Sequence, residues 1–414
     1  MGTTRTGKRG LLRTNADFRR LWTAGAVSQL GTWISGLAIP LFALLELHAT
    51  VLQVALLTTL RTLSALLVGL PAGAWCDRLR CRPVMVAADL GRMVLFGSIP
   101  VAAALHASSI GQLYVVVFLG GVLTVFFDVS NQSYVPRLVG RADLVEGNAR
   151  LQMNQSVAAT VGPTIAGLLV QWLTAPFAVG ADALSYLVSA LRIRAIRSPE
   201  AKPAVTTRPA LLRDIKEGLT FVFGHSLIRS IALYMATEGF FQSAGFMGLL
   251  TVLLVGPLHL RPSAIGLLGG LGMLGAIAGS LVAERVAEFL GKGRCLFASG
   301  LAMGVGALLV PLAEPGWRLG CYVVGDAILG FSIILSVVTE TSLCQLACPD
   351  ELRGRMNATL RFLYGGAMPL GSLVGGIVAS AIGVRPTMWF AALGILLSAL
   401  WLIRPATSAP IEAP

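Results

Sequence analysis

The sequence predicts an all-α integral membrane protein: twelve transmembrane helices in two six-helix bundles, with both termini cytoplasmic. Three observations carry that prediction. Of 414 residues, 55% are hydrophobic and 13% charged, and mean hydropathy is +0.77; the charged share is about half that of a soluble protein. Apolar runs of roughly 20 residues, enough to cross a bilayer, recur at about 21–47, 51–75, 83–105, 111–135, 148–173, 176–194, 228–254, 263–283, 295–313, 317–345, 357–383 and 386–403. Finally, 25 of the 32 Lys and Arg fall on the side that holds the N-terminus, whereas the opposite loops hold only Arg261, Arg318 and Arg385. That is the positive-inside asymmetry.

The formal charge of +12 therefore sets orientation and is not a nucleic-acid footprint. Intrinsic disorder is excluded by the wealth of Leu, Ile, Val and Phe. The 47 glycines follow no three-residue period; they lie inside apolar runs, where they let helix backbones approach. Six cysteines include Cys76 and Cys81 in an inner loop and Cys344 and Cys348 near an inner helix end, with no CxxC pair. Free thiols are expected, and no metal site.

Residues 1–20 form a basic cytoplasmic segment. Span one is too long for a secretory apolar region and lacks a small-x-small cleavage site, so it is expected to stay attached. Spans one to six make a first bundle over 21–196. The interval 197–227 carries three prolines, several charges and the amphipathic stretch Leu211–Phe223. It is the long hydrophilic break in the chain, hence a central cytoplasmic loop. Spans seven to twelve form a second bundle over 228–404, and 405–414 is a tail. A short repeat supports the division. Asn148-Ala-Arg-Leu151 opens span five and Asn357-Ala-Thr-Leu360 opens span eleven, and each span has a proline deep inside it, Pro163 and Pro369. Such parallel repeats are related by an axis normal to the membrane.

Ionisable groups inside spans cost ~2.5–3.5 kcal/mol each on insertion scales, so they need a reason. At helical spacing they form stripes. Span four presents Thr124, Asp128, Asn131 and Gln132; span seven Tyr234, Glu238 and Gln242; span ten Ser332, Ser336, Glu340 and Cys344, with Asp326 about 40° off that face and ~21 Å up the axis. Span one offers the weaker set Gln29, Thr32, Trp33 and Gly36. The functional reading is an aqueous cavity with protonatable carboxylates; the bland one is a set of buried structural partners. Glu238 favours function, being mid-span with no basic residue within two turns. Asp128 divides evenly, since Arg61 on span two is a possible partner. Asp326 and Glu340 rank lower because they lie nearer helix ends. Asp89 and Arg92 read as a local i, i+3 pair, Asp182 has no partner legible in the sequence, and Glu46 and Arg361 snorkel to the interface.

Two further patterns stand out. Gly162-Pro163-Thr-Ile-Ala-Gly167 interrupts span five, removing a backbone hydrogen bond and allowing close helix approach; an ordinary kink would look the same. After span two the chain reads Gly73-Ala-Trp-Cys-Asp77-Arg78-Leu-Arg80-Cys-Arg82-Pro83, a carboxylate among arginines at the membrane surface. Its Gly-x-x-x-Asp-Arg spacing lifts it above topology-setting charge. No Gly-x-x-x-x-Gly-Lys-Ser/Thr loop exists for ATP, and no HExxH or GxSxG for hydrolysis. His48, His106, His225 and His259 are scattered without a nucleophile or metal partner. An intramembrane enzyme is disfavoured, and a non-transporting receptor or assembly protein would leave the acidic stripes unexplained.

On these residues the whole chain resembles the major facilitator superfamily. Gly73, Asp77, Arg78 and Arg82 match the superfamily's loop signature, with departures at Arg80 and Cys81; Gly279 with Glu284-Arg285 is a degenerate echo in the second half. Gly162, Pro163 and Gly167 resemble the antiporter-type motif of span five, with alanine for one glycine. Asn15-Ala-Asp-Phe-Arg-Arg-Leu-Trp22, Leu70-Pro-Ala-Gly-Ala and Asp89-Leu-Gly-Arg92 are similar to the branch of enterobactin exporters and macrolide efflux proteins. The resemblance implies spans one, four, seven and ten around a central cavity, a conformational latch at Asp77-Arg78, and proton antiport of an amphipathic small molecule such as a drug, antibiotic or siderophore-like metabolite. The alternative within the fold is a proton-linked importer or facilitator. The expected working unit is a monomer in the cell membrane, powered by a proton gradient, with no cofactor, metal or nucleic acid.

Overall fold

The computed structural model describes residues 10–76, 79–200 and 211–403, and every regular element among them is a helix. In chain order these are α1 (Leu11–Thr14), α2 (Ala16–Leu45), α3 (Val51–Cys76), α4 (Cys81–Ala104), α5 (Ile110–Leu173), α6 (Ala175–Arg194), α7 (Leu211–Gly224), α8 (Ser226–Gln242), α9 (Leu249–Val255), α10 (Pro262–Leu290), α11 (Lys292–Leu309), α12 (Leu319–Ala347), α13 (Arg353–Ile382) and α14 (Val384–Ser398). Gly140, at φ 72°, breaks α5 into two limbs, Ile110–Gly140 and Asp143–Leu173. Between α8 and α9 a five-residue π-helical stretch, Ser243–Met247, interrupts span seven.

Among the described residues eleven helices are long and apolar enough to cross a membrane. The sixth span of the sequence reading, α6, is not among them. Its 20 residues include Asp182, Ser185 and Ser189, all turned into the protein, and Arg192 and Arg194 in its last turn. Hydropathy falls because this helix spends polar groups on packing.

The chain forms two compact units, Met1–Ile39 with Leu67–Val205, and Pro40–Leu66 with Thr206–Pro414. In the first, the string Asn15–Trp22 ties the start of α2 to its neighbours. Asn15 caps the helix through Phe18 N–H (2.9 Å) and donates to the Leu138 carbonyl. Asp17 accepts from Arg20, from the Arg197 and Ser198 amides and from the Ser198 hydroxyl. Trp22 donates to the Arg150 carbonyl while its own carbonyl receives Asn154.

In the second unit, glycines decide the packing. A Cβ at Gly371 or Gly375 of α13 would overlap the carbonyl oxygens of Phe240 and Ala244, and one at Gly394 of α14 the ring of Phe241. The segment Pro40–Leu66 packs here, although the six-plus-six reading assigns it to the first bundle. Thr59 and Ser372 share a 2.8 Å hydrogen bond, and Gly376 and Gly248 give room for Ala55 and Thr58. On α10, Gly272, Gly275 and Gly279 meet Asp326, Ala327 and Phe331 of α12.

All four histidines sit at helix ends. His48, His106 and His259 take positive φ just past α2, α4 and α9, a conformation His adopts more readily than most residues. His225 caps α8 by accepting from Ile228 N–H.

Two glycines of α13 should respond oppositely to alanine. Gly375→Ala meets backbone and should cost about 1–3 kcal/mol by overpacking. Gly365, with nothing within 4 Å of a Cβ there, should tolerate alanine or gain up to ~1 kcal/mol from the stiffer unfolded chain. Thermal midpoints of the two purified variants against wild type check this pair.

Candidate functional site: two intramembrane polar clusters

The first unit holds a cluster built on α2, α4, α6 and the first limb of α5. Asp89 and Arg92, one turn apart on α4, form an ion pair that is all but sealed from solvent. The guanidinium lies between two rings, 4.6 Å from the Phe127 centroid and 4.4 Å from that of Tyr186, and points one nitrogen at Thr124 Oγ (3.4 Å). Cation–π contact of this kind strengthens as water is excluded. Tyr186 meets Thr32 of α2 through its hydroxyl at 3.2 Å. Asp182, one turn before Tyr186, accepts from Ser185 at 3.0 Å and has no exposed surface. Gly31 of α2 is obligatory here, because a Cβ would overlap both Asp182 Oδ1 and Ser185 Oγ.

Asp128 belongs to this cluster too, with its surface exposed. The cation acting on it is Arg92; Arg61, its possible partner in the sequence reading, lies in the segment that packs with the second unit. Gln29 and Asn131 lie in the same unit, each with a buried side-chain oxygen that accepts no hydrogen bond. Gly162 of α5 seats the Cβ of Trp33 on α2. Pro163 follows it as a half-buried residue, and Gly167 is buried one turn on.

The second unit holds two acids. Glu238 on α8 is 7% exposed, and no hydrogen bond reaches it from any described residue. Glu340 on α12 is close enough for its charge to act on Glu238. Two tyrosines feel both carboxylates, Tyr234 on α8 and Tyr364 on α13. Tyr364 lies with its ring edge against Gly239, which a Cβ would displace. Tyr234 is fully buried and contacts Ser336 Oγ at 3.4 Å, which in turn pairs with Ser299 of α11 at 2.8 Å. Gln242 closes α8 where the π-helical stretch begins, and π-bulges recur at functional sites. Asp326 is placed apart, against Gly272 of α10, some fourteen residues and ~21 Å along α12 from Glu340.

The latch residues divide. Gly73 falls in the last turn of α3, while Asp77 and Arg78 lie outside the described residues. Arg82 donates to the Arg194 carbonyl. Beside it, Glu200 accepts from the Cys81 and Arg82 amides (2.5 and 3.2 Å), with Arg137 at 3.7 Å. A carboxylate at a helix N-terminus satisfies orphan donors and the helix dipole together. Residues missing from the sequence-based set of candidates are therefore Arg92, Asp182, Tyr186, Tyr364 and Glu200. The i, i+3 spacing of Asp89 and Arg92 was legible; that Asp128 and Asp182 share the same arginine was not.

Carboxylates held inside the spans of a polytopic helical membrane protein mark a functional site. A family model described as a transmembrane secretion effector matches residues 11–410, and the chain belongs to that family of major facilitator transporters, which are not enzymes. Relatives include the multidrug efflux pump Tap of Mycolicibacterium fortuitum (29% identical, 91% of each chain covered), the enterobactin exporter EntS of Citrobacter koseri (26%, 91% of this chain and 88% of the other) and macrolide efflux protein A of Streptococcus pyogenes (23%, 94% and 95%). The fold is shared with a bacterial homologue of the iron transporter ferroportin (TM-score 0.76, 17% identical, 97% and 100% covered) and with the nucleoside transporter NupG (0.77, 10%, 95% and 100%). The protein is thus a multi-pass protein of the inner membrane.

The Asp89–Arg92 pair should be costly to break from one side. Arg92→Met strands a buried carboxylate and should cost about 3–5 kcal/mol, and pairing it with Asp89→Leu should recover a large part of the loss. Unfolding of the single and double variants in denaturant measures both.

Proposed function

We propose that this chain exports an amphipathic small molecule (a drug, antibiotic or siderophore-like metabolite) in exchange for protons. The observation that carries the proposal is Glu238, a mid-span carboxylate with no hydrogen-bond donor, set beside a second acid, Glu340. Two carboxylates without a cation are stable in a low dielectric only when protonated or when matched by cargo or water. Protons and cargo then compete for one site, which is the requirement for exchange. Asp128, exposed on α5, supplies a second exchangeable carboxylate, with Gln29, Asn131, Tyr234 and Gln242 as polar contacts for cargo and Asp326 in a lesser role.

Energy comes from the ion gradient, since the sequence holds no nucleotide-binding loop. One charge moved through the membrane potential contributes ~2.3 kcal/mol per 100 mV. Transport proceeds by alternating access, α6 serves as the twelfth crossing, and both termini are cytoplasmic. Asp77, Arg78 and Arg82 clamp inner helix ends in one state and do not touch cargo. The working unit is a monomer in the bilayer, without a resident cofactor. Export is favoured by the relatives, whose names denote efflux or export, and by the Gly162-Pro163 segment.

In everted vesicles, Glu238→Gln should reach normal expression and lose transport driven by a pH gradient; undiminished transport retires the assignment. Asp77→Asn should slow turnover with little change in selectivity, and a pure loss of affinity would count against the latch.

A further inference from the structure

Asp182 is used by none of the roles above. It is completely buried, Oδ1 takes the Ser185 hydroxyl, and Oδ2 accepts no hydrogen bond. The charges around it come from three elements. Helix α4 brings Asp89 and Arg92, α5 brings Asp128, and α6 itself brings the phenol of Tyr186. Helix α2 contributes hydroxyls, Ser35 and Thr32, and the Gly31 backbone. One guanidinium is therefore set among three carboxylates, and it is committed to Asp89. Asp89 Oδ2 and Arg92 Nε make no hydrogen bond either, and the Ser35 and Ser189 hydroxyls beside the two acids are uncommitted; with Asp128 exposed, the two sealed carboxylates, Asp89 and Asp182, share one cation. An ionised carboxylate sealed from water without a partner is replaced by its neutral acid.

We propose that Asp182 is a proton-binding site of this protein, the proton carried on its carboxyl inside the cradle of Gly31, Ser35 and Ser185. The ligand is a single proton. Release gives the carboxylate and a proton to water, and the cation able to match the resulting charge is Arg92, at the expense of Asp89. Proton occupancy at Asp182 and the choice of partner by Arg92 are thereby linked. The site lies in the first unit, apart from Glu238 and Glu340, and does not depend on the direction or coupling of transport proposed above.

The test uses the full-length protein in lipid nanodiscs and reads the infrared C=O band of protonated carboxyls as the buffer is taken from acidic to alkaline. Wild type should lose a band that is absent from Asp182→Asn and present in Glu238→Gln and Asp128→Asn. An Asp182→Asn spectrum identical to wild type overturns the proposal. Asp89→Asn supplies an independent arm if Asp182→Asn does not assemble. Freeing Arg92 from Asp89 favours the ionised form, so the Asp182 band should vanish at lower pH than in wild type; an unchanged or higher midpoint overturns the linkage and the site with it.

Discussion

A charge cannot remain in hydrocarbon without company, and the interior of this protein is organised around that constraint. In the first unit the company is Arg92. It pairs with Asp89, stacks between Phe127 and Tyr186, and extends its field to Asp128 and Asp182. Four helices must hold their register for one guanidinium to do this. Gly31 is glycine because α2 has to approach a carboxylate and a hydroxyl directly. The hydropathy of α6 is low for the same reason, since its small and polar residues face this cluster and not lipid.

The second unit obeys the constraint differently. Glu238 and Glu340 have tyrosine hydroxyls and serines nearby and, among the described residues, no arginine acting on them. Backbone packing there is equally demanding, with α13 pressing Gly371 and Gly375 onto the carbonyls of Phe240 and Ala244. The second of these carbonyls belongs to the π-helical stretch directly after Gln242. A wider turn shifts the side chains that follow it relative to a regular helix, so the acid and the packed end of span seven keep different registers along one crossing.

Much of this was legible in the sequence because the bilayer imposes its own length and polarity. Spans, loops and the amphipathic Leu211–Phe223 stretch follow from periodicity, and the observed α7, Leu211–Gly224, differs by one residue. Asp128, Glu238 and Glu340 were visible as acids on helical stripes. What could not be read was which stripes meet. Arg92 looked satisfied by its neighbour Asp89, and helical spacing carries no information about Asp182 three spans later in the chain. Glu200 lay in a polar loop where nothing distinguishes a helix cap from an ordinary solvated acid. The π-helical stretch has no Gly-Pro pair to announce it; what it shows in the structure is close packing against α13 and α14.

The two clusters differ in a way that bears on which can take part in exchange. An acid paired with a buried arginine is expensive to disturb, because removing either partner strands the other. Such a pair suits a group that keeps one state until a large motion offers Arg92 another carboxylate. An acid facing only another acid and neutral hydroxyls has no such anchor. Its charge state is governed by burial and by the neighbouring acid, with no cation to fix it. On the proposed reading Glu238 and Glu340 respond to what enters the protein, and Asp89, Arg92 and Asp182 to how its helices are arranged. The two kinds of group, one anchored by a cation and one not, are built into separate halves of the chain.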